Sequence, residues 1–352
     1  MQPHATIVDG ADTEAMPAWL LETLGIARPG EGERIELNGA AWVVRDGMLR
    51  ACATLSDSQD QTGRTFAFKW GQRDTYESAD SRALVRRWLR ERYGDIAGQE
   101  WFTAMTGTGR PLLLDAGCGA GFAALELLDD LLPSIRYLGV DISDAVDVAR
   151  QRFATRGRTG AFLQADINAI PLPPGSVDII LSEGVMHHTD STETAFRALV
   201  PLLKPGGRFL FYVYRRKGPL REFSDDHIRA LLQDLPPEEA WQTLMPLTKL
   251  GQALGRLDAE IEVPEAVDLL GIPAGRHSVQ RLFYWYVCKA FYRPEMTLDE
   301  MNHINFDWFA PRNAHRHTEE EIRSWCADTG LEIERERIED SGITVIAARC
   351  RR

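Results

Sequence analysis

Apolar and polar positions follow a different period in successive parts of the chain. Residues 34–54 alternate between apolar and polar, and Asp46-Gly47 lies between two of their apolar runs, which predicts a β-hairpin. Residues 81–93 carry apolar side chains at helical spacing and are followed by a glycine, which predicts a helix that ends there. A short helix is also predicted around residues 15–24. These elements would form a small β-containing unit ahead of a larger core.

From residue 111 onward, short apolar runs alternate with helical stretches. The first run, Pro111 to Leu114, has no polar position, which is typical of a strand buried on both faces of a parallel sheet. The strands predicted in this part of the chain are 111–115, 135–141, 160–167, 177–182, 208–214, 331–338 and 342–349. The helices predicted between them are 122–128, 144–156, 192–203 and 319–329. This order predicts an α/β fold with a seven-stranded, mostly parallel sheet, helices on both faces and an antiparallel last strand.

A glycine-rich turn follows the first strand of this core. It is Asp115-Ala-Gly117-Cys-Gly119-Ala-Gly121 and leads directly into a helix, an arrangement that presents backbone N–H groups to a ligand. A dinucleotide fingerprint would need glycine at position 122, where the chain has Phe122. A carboxylate before the turn would also repel a pyrophosphate, whereas it suits a ligand with positive charge. Both features weigh against a nicotinamide oxidoreductase.

Two further predicted strands end in an acid that is followed by an isoleucine. Asp141 comes twenty residues after Gly121, the spacing at which a carboxylate accepts hydrogen bonds from ribose hydroxyls. Asp166 is suited to accept from an adenine amino group, while Ile142 and Ile167 would cover the purine ring. The alternative for Asp166 is a turn or helix-capping residue. Because the carboxyl ends of parallel strands meet at one edge of a sheet, we expect these acids to converge.

The motif from Asp115 to Gly121 resembles the first motif of class I S-adenosylmethionine-dependent methyltransferases. The later strand ends extend the resemblance over four successive strands, and Lys204-Pro-Gly-Gly207 matches the family's turn before the fifth. The resemblance implies a Rossmann-like fold and S-adenosylmethionine as the cofactor. The residues expected to bind the cofactor are Asp115, Gly117, Cys118, Gly119, Gly121, Asp141, Ile142, Asp166, Ile167 and Glu183.

Compared with that family, the chain divides into three regions. Residues 1–107 are expected to be an N-terminal extension with a small β unit and a helix, and residues 108–214 together with 317–352 the Rossmann-like core. Residues 215–316 interrupt the core after its fifth strand and are rich in aromatic residues. The helices predicted within this insert are 225–234, 238–257 and 278–291. We interpret it as a helical lid over the substrate.

The acceptor site is predicted from cations and aromatic residues near this lid. Residues 66–76 resemble the segment that closes over the cofactor in many small-molecule methyltransferases, although their alternating aromatic residues fit a packed strand face equally well. A basic cluster at 215–221 is suited to hold a carboxylate or phosphate. The residues expected to bind the acceptor are Trp70, Arg73, Tyr76, Tyr214, Arg215, Arg221, Asp307, Trp308, Arg312 and His315.

Two adjacent histidines, His187 and His188, follow the fourth core strand. Whether the reaction needs a general base depends on the acceptor. A hydroxyl or a protonated amine must lose a proton, whereas a thioether, a tertiary amine or a thiolate has none to lose. His187 or His188 is the candidate catalytic base. The alternative is that one of them packs against the adenosine or caps the next helix.

Composition narrows the range of partners and compartments. The formal net charge of the 352 residues is −12, which argues against a general affinity for nucleic acid or an anionic membrane. The five cysteines are scattered, with no CxxC pair, so neither a disulfide framework nor a metal site is predicted. The N-terminus lacks the features of a signal peptide, and no apolar run reaches membrane-spanning length. We therefore expect a cytoplasmic protein that binds neither nucleic acid nor membrane.

Together these features predict a methyltransferase that acts on the O, N, S or C atom of a small-molecule acceptor. Within enzymes, the main alternative is an RNA or protein methyltransferase. An alternative of another class is a non-catalytic, S-adenosylmethionine-binding regulatory subunit. The sequence determines neither the acceptor nor the oligomeric state, and a homodimer stays open.

Overall fold

The structure is a computed structural model that describes residues 16–351. Ten of the strands in this range form a single sheet. The strands are β1 (Arg34–Leu37), β2 (Ala40–Arg45), β3 (Met48–Ala51), β4 (Leu112–Ala116), β5 (Arg136–Asp141), β6 (Ala161–Gln164), β7 (Val177–Glu183), β8 (Leu203–Tyr214), β9 (Glu260–Val263), β10 (Gly275–Ser278), β11 (Leu331–Ile338) and β12 (Gly342–Arg349). The sheet has the order β1-β2-β3-β6-β5-β4-β7-β8-β12-β11, and β9 pairs with β10 separately.

The centre of the sheet is the predicted parallel core. Strand β4 pairs in parallel with β5 and with β7, and all five of its residues are buried, because it has neighbours on both edges and helices on both faces. Strand β12 runs antiparallel to both β8 and β11. The seven-stranded, mostly parallel sheet with one antiparallel strand is therefore confirmed, and the carboxyl ends of β4, β5, β6 and β7 lie along one edge.

Helices cover both faces of the sheet, as predicted. They are α1 (Ala18–Leu24), α2 (Asp57–Gly71), α3 (Ala79–Tyr93), α4 (Glu100–Gly107), α5 (Phe122–Leu127), α6 (Ala145–Thr155), α7 (Thr192–Leu199), α8 (Pro219–Leu232), α9 (Pro237–Arg256), α10 (Val279–Tyr286), α11 (Leu298–Phe309) and α12 (Glu319–Asp328). Side chains of α1, α7 and α12 pack on one face, and those of α3 to α6 pack on the other. The start of the predicted 15–24 helix, Ala15, lies outside the described residues.

The N-terminal hairpin belongs to the core sheet. Asp46 and Gly47 have φ values of 54° and 69°, the left-handed conformation that a two-residue hairpin turn requires. Strand β3 then pairs in parallel with β6, with Leu49 opposite Leu163. The expected small β unit thus extends the sheet from seven strands to ten, because β3 satisfies the backbone groups on the open edge of β6.

Two local interpretations of the sequence differ from the observed secondary structure. The aromatic stretch 66–70 lies in helix α2, so the alternative that its aromatic residues form a strand face is wrong. The helix is capped by Ser56, whose side chain accepts from the Gln59 N–H at 3.1 Å. The Lys204–Gly207 segment is a bend inside β8, where the register with β7 shifts. In both cases the secondary structure depends on strand pairing or helix capping, and the pattern of apolar positions contains no signal for either.

The segment between β8 and α12 contributes four helices above the carboxyl edge of the sheet. Arg215 pairs with His317 across an isolated bridge, so the segment leaves and rejoins the sheet at adjacent points. Helix α11 packs against α9 and α2. The capping box predicted at Thr318 and Glu321 is present at the start of α12. Within residues 16–351, no helix is both long and apolar enough to cross a membrane.

Candidate active site

The acids at three strand ends line one cavity. Asp115 is the penultimate residue of β4, Asp141 ends β5 and Asp166 follows β6. All three line a cavity of about 750 Å³. Pockets that bind small molecules usually measure about 300–1,000 Å³. The cavity also includes Ile142 and Ile167, so each of the last two acids is accompanied by the apolar side chain that follows it. The structure therefore brings together the strand ends that the sequence singled out.

Asp141 is held in place by the glycine turn and by its own loop. Its Oδ2 accepts from the Gly119 N–H at 2.8 Å, and its Oδ1 accepts from the N–H and hydroxyl of Ser143 at 2.9 and 2.7 Å. Burial raises the pKa of Asp141, while these hydrogen bonds act in the opposite direction. The carboxylate is fixed before any ligand arrives, and it still borders the cavity.

Asp115 and Asp166 have different surroundings. Burial raises the pKa of Asp115 to about 7, against a hydrogen bond that its Oδ2 receives from the Tyr137 hydroxyl at 2.7 Å. Asp166 Oδ1 accepts from the backbone and side-chain N–H groups of Asn168, both at 2.8 Å. Asp166 therefore caps a short turn, as the structural alternative predicted, and also borders the cavity.

The glycine turn is only partly exposed to the cavity. Gly117 and Cys118 line it, whereas Gly119 and Gly121 do not. All three glycines have positive φ values, of 87°, 50° and 67°. A Cβ on Gly119 would lie 2.6 Å from the indole nitrogen of Trp70, and one on Gly121 would lie 2.9 Å from the Phe153 ring. These two glycines are thus required by close packing of protein side chains, and not by contact with the cavity.

The two histidines differ sharply in their environment. His187 is fully buried, does not line the cavity, and stacks on Tyr214 with ring centroids 3.7 Å apart. Neither of its ring nitrogens has a hydrogen-bond partner within residues 16–351, and burial holds its pKa well below the ordinary value. The structure does not place His187 where it could meet a substrate, so the expectation of a base is not supported at this position.

His188 borders the cavity. Its Nδ1 lies 2.7 Å from the carbonyl oxygen of Asn313. Because a carbonyl can only accept, Nδ1 carries the proton and Nε2 carries the lone pair. Nε2 is buried and has no partner among the described residues. Burial lowers the pKa of His188 to about 4, which keeps the ring neutral near pH 7.

A buried ion pair joins α2 to α11 beside these histidines. Lys69 donates to Asp307 Oδ1, and the Tyr214 hydroxyl donates to Asp307 Oδ2 at 2.6 Å. Burial would raise the pKa of Asp307, but the charge of Lys69, the neighbouring His188 and Lys289, and the hydrogen bond from Lys69 together outweigh burial and hold the pKa well below the ordinary value. Trp70, Tyr214, Asp307 and Lys69 all line the cavity. Lys69 is not among the predicted site residues, because nothing in the aromatic stretch around it indicates that its side chain has a buried partner.

Glu183 lines the cavity, but its carboxylate is engaged by protein side chains. Arg92 forms an ion pair with Oε1, and the Tyr93 hydroxyl donates to Oε2 at 2.5 Å. The Arg92 guanidinium also stacks 3.7 Å from the Tyr212 ring centroid. Arg92 and Tyr93 both belong to α3, so their contacts with Glu183 hold this helix against the end of β7.

Six residues expected at the acceptor site lie outside the cavity lining. They are Arg73, Tyr76, Arg221, Trp308, Arg312 and His315. Three of them contact protein atoms in the interior or on a loop. The Tyr76 hydroxyl donates to the Trp70 carbonyl oxygen at 2.8 Å. Arg221 is 1% exposed and pairs with Asp225 at 2.7 Å, and His315 Nε2 lies 3.0 Å from the Thr189 carbonyl oxygen.

The other three are also held by protein partners. Arg73 pairs with Glu77, Arg312 pairs with Asp234 at 2.5 Å, and Trp308 donates from Nε1 to Asp225 at 2.8 Å. Of the ten expected acceptor-binding residues, Arg215 lines the cavity together with Trp70, Tyr214 and Asp307. Arg215 is paired with Glu319 at 3.3 Å.

Another part of the cavity lining comes from α3 and from the segment around α10. The aromatic ones are Trp88, Tyr284, Trp285 and Phe291, and the cationic ones are Arg281, Lys289 and Arg293. None of these seven residues is among those expected to bind the acceptor, because this wall is assembled from segments about two hundred residues apart. Among the described residues, no group of three His, Cys, Asp or Glu side chains is arranged to hold a metal ion.

Comparison with known proteins supports the interpretation of the core. Residues 114–211 match the model of a family described as "Methyltransferase domain". An uncharacterised Synechococcus protein is 34% identical over 128 residues, 36% of this chain and 30% of that protein. Malonyl-[acyl-carrier protein] O-methyltransferase of Serratia marcescens is 31% identical over 142 residues, 40% of this chain and 51% of the relative. The chain thus spans about half, or less, of the length of the relatives it matches.

One solved structure that aligns over most of the chain is magnesium protoporphyrin IX methyltransferase from Synechocystis PCC 6803 with bound S-adenosylmethionine. It has a TM-score of 0.44 and 14% sequence identity, and the alignment covers 84% of this chain and 99% of that one.

The matched core, the strand order and the acids at the strand ends together define the class of this domain. It is a class I S-adenosylmethionine-dependent methyltransferase domain. Its chain carries, in addition, three strands before the core and a four-helix segment after the fifth core strand. The cavity fits the cofactor in charge and size, because Asp115, Asp141 and Asp166 line it and its volume of about 750 Å³ is in the range of small-molecule pockets.

Proposed function

We propose that this protein transfers a methyl group from S-adenosylmethionine to a small-molecule acceptor bound in the same cavity. The observation that carries the proposal is that Asp115, Asp141 and Asp166 line the same cavity of about 750 Å³ as the aromatic residues Trp88, Tyr284 and Phe291. A nucleoside and an acceptor can therefore meet inside one cavity, which favours transfer by alignment of the two reactants.

The acids and isoleucines of the strand ends bind the cofactor in this proposal. Asp141 accepts hydrogen bonds from the ribose hydroxyls, and Asp166 accepts from the adenine amino group through the oxygen that Asn168 leaves free. Ile142 and Ile167 cover the purine, and the backbone at Gly117 and Cys118 borders the amino-acid part. When bound, the cofactor supplies a methyl group already activated on a sulfonium. The chain's contribution is to orient the acceptor and exclude water.

His188 is the general base of the proposal when the acceptor carries a proton. The Asn313 carbonyl oxygen fixes the tautomer at 2.7 Å from Nδ1, so the lone pair of Nε2 is free to accept a proton. With a pKa of about 4, the ring stays in its basic form near pH 7. It is a weak base, which suits an acceptor whose proton is itself acidic.

The aromatic lining of the cavity favours a small-molecule acceptor over an RNA or protein. Trp88 of α3 and Tyr284 and Phe291 of the segment around α10 all line it. A macromolecular acceptor would have to reach into the cavity with a single side chain or base.

Two measurements test the proposal. Calorimetry should show binding of S-adenosylmethionine and of S-adenosylhomocysteine, but not of NAD, to the full chain. Incubation of the protein and S-adenosylmethionine with pooled metabolites should then yield a product whose mass has increased by one methyl transfer. Binding of NAD alone would contradict the cofactor. Tight S-adenosylmethionine binding without transfer to any metabolite, RNA or protein pool would favour the non-catalytic subunit.

A further inference from the structure

The lining of the cavity contains both carboxylates and cations. The part formed by the three strand-end acids Asp115, Asp141 and Asp166 is here called the cofactor end. The part formed by Arg281, Lys289 and Arg293 is called the lid end, and these three cations form no ion pair with any described residue at 4.0 Å or less. By contrast, the other cations that line the cavity are all paired, as Lys69 with Asp307, Arg92 with Glu183 and Arg215 with Glu319.

Each of the three lid cations is partly or fully removed from water. Lys289 is 7% exposed, and its Nζ donates to the Ile304 carbonyl oxygen at 2.9 Å, which uses one of its three N–H groups. The Nε atom of Arg293 is buried without a hydrogen-bond partner. The Arg281 guanidinium lies 5.3 Å from the Tyr284 ring centroid.

The environment of these groups disfavours three isolated charges. Burial lowers the pKa of Arg281, and the like charge of Arg293 lowers it further, although Tyr284 acts in the other direction. Burial likewise lowers the pKa of Lys289 to about 7, although the charges of Asp307 and Asp225, neither of which forms an ion pair with it, act in the other direction. A desolvated cation without a counter-charge is costly, so an anion bound between these groups would relieve an unfavourable arrangement.

We propose that the lid end of the cavity is an oxyanion subsite, and that the acceptor is a small molecule with a carboxylate or phosphate group attached to a flat apolar body. Arg281, Lys289 and Arg293 bind the oxyanion. Trp88, Tyr284 and Phe291 contact the apolar body, and the acceptor atom faces the cofactor end. The inference rests on the proposed function, because it places the acceptor in the cavity that holds the cofactor.

The subsite is tested with three probes on the full chain saturated with S-adenosylhomocysteine. Phenylacetate and phenyl phosphate carry the two kinds of oxyanion, and phenylacetamide is a neutral control. Calorimetry should give affinities for the better anion at least about tenfold higher than for the amide, as expected for charge-assisted hydrogen bonds. The tighter of the two anions identifies the oxyanion that the site prefers.

Variants then assign the effect to the named residues. Arg281→Gln and Arg293→Gln, alone and combined, should lower anion affinity towards that of the amide and leave S-adenosylhomocysteine affinity unchanged. The matched control is Arg276→Gln, because Arg276 is exposed on β10 and pairs with Glu260 at 3.5 Å; it should change neither affinity.

Three outcomes would overturn the inference. The first is that neither anion binds more tightly than the amide. The second is that Arg276→Gln weakens the anion as much as the cavity variants do. The third is that the cavity variants weaken S-adenosylhomocysteine equally, which would assign the cations to the cofactor's own carboxylate. Failure of S-adenosylhomocysteine to bind the unaltered protein would instead contradict the proposed function itself.

Discussion

Asp141 combines a structural and a proposed binding role in one carboxylate. It accepts from the backbone of Gly119, so it also holds the glycine turn in its conformation. Asp141→Ala should therefore weaken S-adenosylhomocysteine binding by about 1–3 kcal/mol, the cost of leaving buried polar groups without partners. Calorimetry measures the change. Asp144→Ala is the matched control, since Asp144 lies three residues on with an 80% exposed side chain. Unchanged affinity in Asp141→Ala would contradict the ribose-binding role.

His187 carries two buried nitrogens that have no partner, and it stacks on Tyr214. His187→Phe keeps the stacked ring and removes both unsatisfied groups, so it should raise the free energy of unfolding by about 1–3 kcal/mol. The effect should grow at low pH. The pKa of His187 is depressed in the folded state, so the native protein loses stability as pH falls below the unfolded value of about 6.5, at up to about 1.4 kcal/mol per pH unit.

Urea unfolding of both proteins at pH 7.5 and 5.5 checks this prediction. The titration of Asp115, whose pKa is raised, is common to both proteins and cancels in the difference between them. His188→Phe is the contrasting variant, because it leaves the Asn313 carbonyl oxygen without its donor and should be destabilising. A His187→Phe protein that is less stable at both pH values would show that the ring nitrogens have partners after all.

Residue positions at strand ends were the most predictable part of the site. The sequence predicted the three acids that line the cavity, Asp115, Asp141 and Asp166. Each follows a short, mainly apolar run, and parallel strands bring the ends of such runs together. Arg221 and Trp308 illustrate the limit. Both belong to polar or aromatic clusters that suit ligand binding, yet they pair with Asp225 in the interior. A single sequence does not reveal whether a charged residue already has a partner within the fold.

Among the secondary-structure elements, α2 and α11 are joined by the ion pair between Lys69 and Asp307, which both line the cavity. Lys69→Met should leave Asp307 with an uncompensated charge. The free energy of unfolding should therefore fall by about 1–3 kcal/mol. This loss is smaller than the loss expected for a fully buried ion pair, because 27% of the Asp307 side chain remains accessible to solvent. Urea unfolding and hydrogen exchange of α2 measure the loss, and Lys69→Met combined with Asp307→Asn should recover most of it.

The control for this pair lies on the same helix. Arg64 forms an ion pair with Asp60 at 3.0 Å, and its side chain is 69% exposed. Arg64→Met should change stability by no more than about 0.5 kcal/mol, because exposed ion pairs contribute little. An equal loss in Lys69→Met and Arg64→Met would mean that the cavity pair behaves as a surface pair.

Helix α2 also shows why some elements escaped prediction. Its residues include glycine, threonines and glutamines that bury polar side chains, such as Gln61, which donates to the Ala310 carbonyl oxygen at 3.0 Å. The apolar period is consequently weak, and the alternation of Phe66, Phe68 and Trp70 imitates a strand. The capping box of α12, in contrast, is a local signal and located that helix correctly. Elements defined by local signals were predicted, and elements defined by long-range polar contacts were not.

For the whole molecule, ligand binding should stabilise the fold through the cavity that three regions of the chain share. S-adenosylhomocysteine at one hundred times its Kd should raise the free energy of unfolding by about 2.7 kcal/mol, since only the native state forms the site. NAD at the same concentration should have no effect. Thermal unfolding with each ligand makes the comparison, and stabilisation by NAD instead would contradict the assignment of the cofactor.

The ten-stranded sheet has two free edges with different protection. One is the four-residue strand β1. The other is β11, whose sequence Leu-Glu-Ile-Glu-Arg-Glu-Arg-Ile carries five charged side chains. Short and highly charged edge strands resist pairing with other sheets. The extension of the sheet by β3 replaces the β6 edge, which consists of Ala-Phe-Leu-Gln, with an edge that is less prone to association.

Three of the nine tryptophans, Trp70, Trp88 and Trp285, lie in the wall of the cavity. Indole emission changes in wavelength and intensity when water near the ring is displaced. These tryptophans are therefore intrinsic fluorescent probes of the cavity. Trp70 lies beside the glycine turn, whereas Trp88 and Trp285 belong to the part of the wall formed by α3 and α10. Tryptophan-to-phenylalanine replacements would separate the two signals, so that occupancy of each half could be followed in real time without labels.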